Sequence, residues 1–239
     1  MSFLIFFDYM LNLLAALAFD EQMLRSTPVV LSQAVQDTLA AIYAADQKAM
    51  QGQIDDSAHK FDYLRAWPIE VASGELLFQI VRQLKPAKIL ELGTSFGAST
   101  IYMAAALQAN QSGSIVTVEV STLKHPLAAR NFQTAGVTEL ITTEHQAVDQ
   151  YLKSCQDQFD LVLLDCDRSR YHVYLDQLRT HLLPGALLVA DNAIDRGNDM
   201  KQYREKIMKS EEFTTVLLSV GDGLLVSRLV YNLELIIRN

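Results

Sequence analysis

The chain has 239 residues, 50% of them hydrophobic and 20% charged, with a formal net charge of −8. This composition excludes an intrinsically disordered chain and is typical of a globular protein with a substantial core. The acidic balance disfavours nucleic acid as a partner, because a negative surface repels phosphates. Cys155 and Cys166 form no CxxC pair, so we predict free thiols in a cytoplasmic, reducing compartment rather than a disulfide framework or zinc site.

The N-terminal segment, residues 3–19, is almost wholly apolar but lacks the positive charge that precedes the apolar run of a signal peptide. Asp8 and Asn12 interrupt it and share one face of a helix. We predict a helix that packs on its own domain or on a second subunit of a homodimer. Peripheral membrane contact and a targeting segment are the alternatives. A second predicted helix covers residues 29–50, and a polar loop follows it to residue 60.

From residue 74 onward the pattern alternates between helices and strands. Predicted helices cover residues 74–84, 99–108, 126–135, 147–155, 171–183 and 199–210. Predicted strands cover residues 88–92, 114–120, 141–144, 159–164, 186–190, 213–218 and 224–230. This order predicts an α/β fold with a Rossmann-like, doubly wound, mostly parallel seven-stranded sheet. Gly221-Asp222-Gly223 is typical of a hairpin, so we expect the sheet to close with an antiparallel pair.

Ligands bind beyond the carboxyl ends of strands in such sheets, so the acids at those ends are candidate site residues. Four strands carry one: Glu91, Glu119, Asp165 and Asp191. The loop 93–99 begins with a glycine that lets the backbone approach a ligand, and Ser99 lies near a helix N-terminus that favours an anionic group. The loop is not GxGxxG, which weakens a dinucleotide interpretation. An acid at Glu119 can accept both hydroxyls of a ribose; the alternative is a solvated strand-end glutamate.

A second group of polar residues follows two buried strands. Asp165, Asp191 and Asn192 offer two carboxylates and one amide oxygen, a set suited to Mg²⁺, Mn²⁺ or Ca²⁺. The alternative is structural: Asp191 or Asn192 caps a turn, and Asp167 pairs with a neighbouring arginine. The residue chemistry by itself leaves both interpretations open.

Five strings occur in order between residues 61 and 230: ELGTSFGAST, the acid of VEVS, LVLLDCDRSRYHVYL, LLPGALLVADN and VGDGLLVSRL. Together they resemble the cation-dependent class I S-adenosylmethionine O-methyltransferases, which include catechol and caffeoyl-coenzyme A O-methyltransferases and bacterial relatives. The resemblance implies transfer of a methyl group to a hydroxyl of a small catechol-like or vicinal-oxygen acceptor. That acceptor is chelated to a divalent metal, for which Mg²⁺ is the expected ion and Mn²⁺ or Ca²⁺ are alternatives. It also implies that residues 61–239 form the methyltransferase domain and residues 1–60 a helical lid or dimer contact.

The resemblance assigns roles to individual residues. The metal ligands are Asp165, Asp191 and Asn192, and the catalytic residues are Arg168 and Asp165. The cofactor-binding residues are Glu91, Gly93, Thr94, Ser99, Glu119, Gln146, Ala147, Asp165 and Asp167. Within this set, Glu119 contacts the ribose, Gln146 and Ala147 lie near the adenine, and Asp167 lies near the reactive end of the cofactor.

Two positions depart from the family pattern. Arg168 stands where the family has a lysine that helps to deprotonate the acceptor; arginine cannot act as a base but can stabilise a phenolate. Ser73 stands where a glutamate that touches the cofactor is expected, so Trp67 and Glu70 are candidates to line the pocket. Three alternative functions remain open for the chain: a metal-independent methyltransferase, a nucleotide-dependent oxidoreductase, and a non-catalytic assembly protein.

Overall fold

The computed structural model describes residues 28–51 and 65–230. The strands are β1 (Lys88–Leu92), β2 (Ser114–Glu119), β3 (Ile141–His145), β4 (Phe159–Leu164), β5 (Leu182–Ala190), β6 (Phe213–Leu218) and β7 (Leu224–Leu229). They form one seven-stranded sheet in the order β3-β2-β1-β4-β5-β7-β6. The first five strands are parallel, and β7 runs antiparallel to both β5 and β6. The predicted fold class, including the closing hairpin, is confirmed.

Helices cover both faces of the sheet. The helices among the described residues are α1 (Gln33–Met50), α2 (Val71–Leu84), α3 (Ala98–Asn110), α4 (Lys124–Ala135), α5 (Val148–Ser154), α6 (Tyr171–Leu178) and α7 (Lys201–Met208). Buried residues of α1 to α4 pack with Ile89 and Leu163 on one face, and those of α5 to α7 pack with Leu90 and Leu164 on the other. Successive residues along a strand therefore pack into the cores on opposite faces of the sheet. This is why the central strands are apolar at nearly every position.

The predicted boundary between the helix after β4 and strand β5 is wrong. The helix predicted over residues 171–183 ends at Leu178, a 3₁₀ turn covers Arg179–His181, and β5 begins at Leu182 rather than at residue 186. The pairing of β4 with β5 shifts register between Phe159 and Leu161. This bulge accommodates Pro184, which has no N–H for the ladder. The apolar residues before the proline fit a helix end or a strand start equally well, so periodicity could not separate them.

The first described helix is part of the domain core. Ser32 caps α1 by accepting a hydrogen bond from the Val35 backbone N–H at 3.3 Å. Val35, Leu39 and Ile42 are buried in the core shared with α2 to α4. The predicted helix of residues 3–19 and most of the loop after α1 lie outside the described residues, and the division near residue 60 stays a prediction. Within residues 28–51 and 65–230, no helix is both long and apolar enough to cross a bilayer.

Two buried tyrosines on the α6/α7 side of the sheet differ in their hydrogen bonds. The Tyr171 hydroxyl donates to the Leu164 carbonyl at 2.9 Å and accepts from the Cys166 N–H at 3.1 Å. The Tyr203 ring meets Tyr171 edge-on at 5.7 Å, but its buried hydroxyl has no hydrogen-bond partner within the described ranges. Tyr171 therefore holds the chain that leaves β4, and Tyr203 contributes apolar packing.

We expect Tyr171→Phe to lower the free energy of unfolding by about 1–3 kcal/mol, because the Cys166 N–H is left buried without an acceptor. Tyr203→Phe should change it by less than about 0.5 kcal/mol, because that substitution removes no hydrogen bond. Urea titrations followed by circular dichroism measure both. Equal losses in the two variants would contradict the assignment of the hydrogen bonds.

Candidate active site

The carboxyl ends of the neighbouring parallel strands β1, β4 and β5 lie side by side in one row. Sheet pairing continues past the strand ends: the Asp165 N–H donates to the Leu92 carbonyl at 2.9 Å, and the Asp191 N–H donates to the Leu164 carbonyl at 3.1 Å. Gly93 follows β1 in the same row with φ 104°, and a Cβ there would lie 2.0 Å from the Asp165 carbonyl oxygen. Only glycine permits this approach. The glycine loop and the two aspartates are thus held side by side.

Glu91 ties β1 to its neighbours. Its side chain is fully buried, and its carboxylate accepts hydrogen bonds from the hydroxyls of Ser99, Thr100 and Thr117. Burial raises the pKa of Glu91 to about 7, against the opposing effect of the three hydroxyl donors. Both carboxylate oxygens are used inside the protein, so Glu91 shapes the loop. Its predicted contact with the cofactor, like that of the Ser99 side chain, stays a prediction.

Glu119 lies at the end of β2 beside this loop. One carboxylate oxygen accepts from the Ser95 N–H at 2.7 Å and the other from the Ser121 N–H at 2.8 Å. Each oxygen has lone-pair capacity left for a further donor. The Thr94 hydroxyl bonds to that of Thr117 at 2.6 Å, which fixes the first turn of the loop. The arrangement suits an acid that receives the two hydroxyls of a ribose.

A histidine pair lies near Glu119 and was not predicted from the sequence. The rings of His125 and His145 stack with centroids 4.8 Å apart. Burial, followed by repulsion from His145, lowers the pKa of His125, and Glu119 acts in the opposite direction. The two residues belong to different elements, so no spacing rule could have paired them.

Gln146 and Ala147, two further predicted cofactor residues, follow β3 at the same edge of the sheet. Gln146 donates to the Glu144 carboxylate at 2.9 Å, and Ala147 is the N-cap of α5. Asp167 accepts from the Ser169 N–H and hydroxyl and caps the 3₁₀ turn Arg168–Arg170. The alternative prediction, an ion pair between Asp167 and a neighbouring arginine, is wrong. Arg170 pairs with Asp149 at 2.9 Å, and Arg168 lies beside Asp165.

Asp165, Asp191 and Asn192, here called the oxygen cluster, lie at the ends of β4 and β5. Asp191 is 3% exposed, and its Oδ1 has no hydrogen-bond partner in the part of the chain that the structure describes. Asn192 has φ 60°, a left-handed conformation that asparagine tolerates. Its Oδ1 accepts from the Arg168 guanidinium, whose Nη2 is 3.8 Å from Asp165 Oδ1.

Electrostatics make the oxygen cluster a site for positive charge. Burial raises the pKa of Asp165, and burial together with the nearby Asp165 carboxylate raises that of Asp191. Two adjacent carboxylates with one unsatisfied buried oxygen fit a divalent cation that takes oxygen ligands. The set contains only two acids: the described residues form no group of three or more His, Cys, Asp or Glu side chains suited to a metal.

The hairpin between β6 and β7 supports the oxygen cluster, a role the sequence analysis missed. Asn192 Nδ2 donates to Asp222 at 3.3 Å, which leaves the amide oxygen facing Arg168. The Ile194 N–H donates to the Asp222 carbonyl at 2.9 Å. The GDG motif indicated a turn, but nothing in it indicated which loop the turn would contact.

Ser73, the position where the family pattern has a glutamate, anchors that hairpin. Its hydroxyl donates to the Val220 carbonyl at 3.1 Å, and a Cβ at Gly221 would lie 2.4 Å from it. Trp67 is 47% exposed beneath the Arg65 guanidinium, and the adjacent Ala66 carbonyl accepts from the Ser95 hydroxyl at 2.5 Å. Trp67 therefore lies next to the glycine loop. The pocket-lining roles of Trp67 and Glu70 stay predictions.

Residues 41–230 match the sequence profile of the O-methyltransferase family, and the chain belongs to that family. A catechol O-methyltransferase of Niastella koreensis is 37% identical over 146 residues, which cover 58% of this chain and 65% of that protein. The chain thus spans slightly less than two thirds of that relative. The predicted family is confirmed, and the oxidoreductase alternative is set aside.

Solved structures share the fold. An SAH-bound methyltransferase of Podospora anserina superposes with a TM-score of 0.69 at 17% identity, covering 88% of this chain and 93% of the other. The O-methyltransferase TomG of Streptomyces achromogenes, in complex with SAM, has a TM-score of 0.66 at 21% identity, with coverage of 86% and 93%. At these identities the likeness establishes the Rossmann-like methyltransferase fold.

The raised pKa of Glu91 predicts a pH-dependent stability. A group whose pKa rises from 4.5 to about 7 on folding stabilises the protein below its unfolded pKa, and that stability is lost as pH rises through the folded value. The difference in unfolding free energy between wild type and Glu91→Gln should fall by about 2 kcal/mol from about pH 5 to about pH 8.

Denaturant titrations at both pH values measure this difference. Glu139→Gln, at an exposed position before β3, is the matched control and should differ from wild type by a constant amount. A difference for Glu91→Gln that does not change with pH would mean that Glu91 is ionised throughout.

Proposed function

We propose that this protein is an S-adenosylmethionine-dependent O-methyltransferase that acts on a hydroxyl of a small catechol-like or vicinal-oxygen acceptor. The observation that carries the proposal is the buried Asp191 Oδ1, which lies near Asp165 and has no hydrogen-bond partner among the described residues. Only β4 separates its strand from β1, which the glycine loop follows. Family membership supports methyl transfer, and the Niastella relative is named as a catechol O-methyltransferase. Similar structures contain SAM or SAH.

The cofactor half of the site is formed by the ends of β1 to β3. Glu119, held by two backbone amides, receives the ribose hydroxyls, and Gln146 and Ala147 lie at the adenine. The first turn of α3 begins at Ala98, so its free N–H groups suit the carboxylate of the amino-acid moiety. This orientation directs the sulfonium toward the end of β4, where Asp165 and Asp167 lie.

The acceptor half is the oxygen cluster. Asp165, Asp191 and Asn192 would hold Mg²⁺, with Mn²⁺ or Ca²⁺ as alternatives, and Asp222 keeps the Asn192 amide oriented. A bound divalent ion lowers the pKa of an acceptor hydroxyl. Arg168, always charged, stabilises the negative oxygen that results and does not act as a base. Holding the acceptor oxygen and the methyl group in line supplies much of the rate enhancement.

A metal-independent methyltransferase is the second candidate function. One observation favours it: the Arg168 guanidinium already contacts Asn192 and lies close to Asp165, where a positive charge is required. In that case Arg168 alone would stabilise the acceptor oxygen. Turnover that is insensitive to chelators distinguishes this candidate from the first.

We further propose a cytoplasmic homodimer in which residues 1–60 form a helical lid or dimer contact on the methyltransferase domain, residues 61–239. The packing of α1 against α3 and α4 supports a close association of the two parts. Membrane contact through residues 3–19 is the alternative. Sedimentation of the full chain, with and without lipid vesicles, tests both: a monomer or a vesicle-bound chain contradicts the proposal.

Glu119→Gln should weaken S-adenosylmethionine binding by at least about tenfold, because hydrogen bonds to a charged acceptor contribute about 1.5–3 kcal/mol. Isothermal titration calorimetry gives the Kd directly. Glu139→Gln serves again as the control and should bind like wild type. An unchanged Kd for Glu119→Gln would remove the ribose assignment.

Asp191→Asn should reduce methyl transfer to catechol by at least about 100-fold, because it removes a charged ligand from the cation site. Chelation with EDTA should reduce wild-type turnover similarly, while S-adenosylmethionine still binds. Asp199→Asn, at an exposed position, controls for loss of an acidic charge near this loop. Activity that survives both Asp191→Asn and EDTA rules out the metal mechanism.

A further inference from the structure

A cation that belongs to the protein lies at the oxygen cluster. Arg168 Nη2 donates to Asn192 Oδ1 and lies 3.8 Å from Asp165 Oδ1. The Arg168 side chain is only 19% exposed, and its buried Nε has no hydrogen-bond partner within residues 28–51 and 65–230. A guanidinium is rarely buried without acceptors for its donors, so the oxygen cluster is what holds it there.

The guanidinium uses the oxygen that a metal would need. Asp222 fixes the Asn192 amide nitrogen, so the amide oxygen points to Arg168 and cannot turn away without losing that hydrogen bond. A ligand oxygen approaches Mg²⁺ to about 2.1 Å, which leaves no room for a guanidinium on the same side. Two adjacent cations in a largely buried site also repel each other. Both cannot occupy the oxygen cluster in this geometry.

We propose that Arg168 and the divalent metal ion compete for the oxygen cluster, so that Arg168 must leave Asn192 before a metal binds. The inference rests on the proposed function and concerns how its metal site is regulated. Arg168 acts as an internal counter-ion that stabilises the metal-free protein and weakens its affinity for metal. Once displaced, the guanidinium is free to face the acceptor oxygen.

The test measures Mn²⁺ binding to the full chain by the electron paramagnetic resonance signal of free Mn²⁺, without cofactor or acceptor. Arg168→Met keeps the length of the side chain and removes its charge. It should lower the Kd for Mn²⁺ at least about tenfold, because no charged hydrogen bond has to break. Arg170→Met is the matched control: it removes the same charge two residues away, where Arg170 pairs with Asp149, and should bind within about threefold of wild type.

A second readout is thermal unfolding. Metal-free Arg168→Met should have a lower Tm than wild type, and saturating Mn²⁺ should raise its Tm by more than it raises that of wild type. Should Arg168→Met not fold, Arg168→Lys is the second variant. The lysine ammonium ends one bond short of the position of Arg168 Nη2, so this variant should still bind Mn²⁺ more tightly than wild type.

The outcomes separate the two proposals. If wild type binds Mn²⁺ and neither Arg168 variant binds it more tightly, the competition is wrong and the metal site stands. A gain that Asp191→Asn abolishes in the Arg168→Met background supports the competition at this site. If no variant binds Mn²⁺, both the metal site and the competition are wrong, while calorimetry with S-adenosylmethionine still tests the cofactor half.

Discussion

The pairing of β1, β4 and β5 at their carboxyl ends is the constraint on which the site depends. Its hydrogen bonds continue past the strand ends to the N–H groups of Asp165 and Asp191. Neighbouring strands lie about 4.8 Å apart, so the backbone brings two carboxylates together where little water can screen them. The features around them respond to that charge or make room for the pairing: Gly93 allows the close turn, and Arg168 supplies a positive group.

The acidic side chains in the two halves of the site differ in how completely they are hydrogen-bonded. On the β1–β2 side, Glu91 and Glu119 have both carboxylate oxygens engaged by hydroxyls or backbone amides. On the β4–β5 side, Asp191 Oδ1 and Arg168 Nε are buried and lack partners among the described residues. Buried polar groups are normally satisfied, so the unbonded atoms on the β4–β5 side support the proposal that a ligand completes that half. His125 Nε2, near Glu119, is also buried without a partner among the described residues.

The departures from the family pattern are connected through the β6–β7 hairpin. Ser73 holds the Val220 carbonyl, and the same turn presents Asp222 to Asn192. Asn192 in turn contacts Arg168. A small residue at position 73 lets the turn approach α2 closely, since a Cβ at Gly221 would already collide with its hydroxyl. The substitutions at 73 and 168 therefore belong to one packed unit on the β4–β5 side of the site.

The sequence by itself determined the order of strands and helices, the hairpin, and the acids at the strand ends. Each is a local signal: apolar runs, glycine turns, and the rule that parallel strands end at one edge of the sheet. Tertiary structure decided where the helix before Pro184 ends, because an apolar run fits a helix or a strand until its partner strand is known. It also decided that His125 meets His145 and that Arg168 meets Asn192. Those contacts join residues distant in the chain, and local periodicity records which face is buried but not which loops meet.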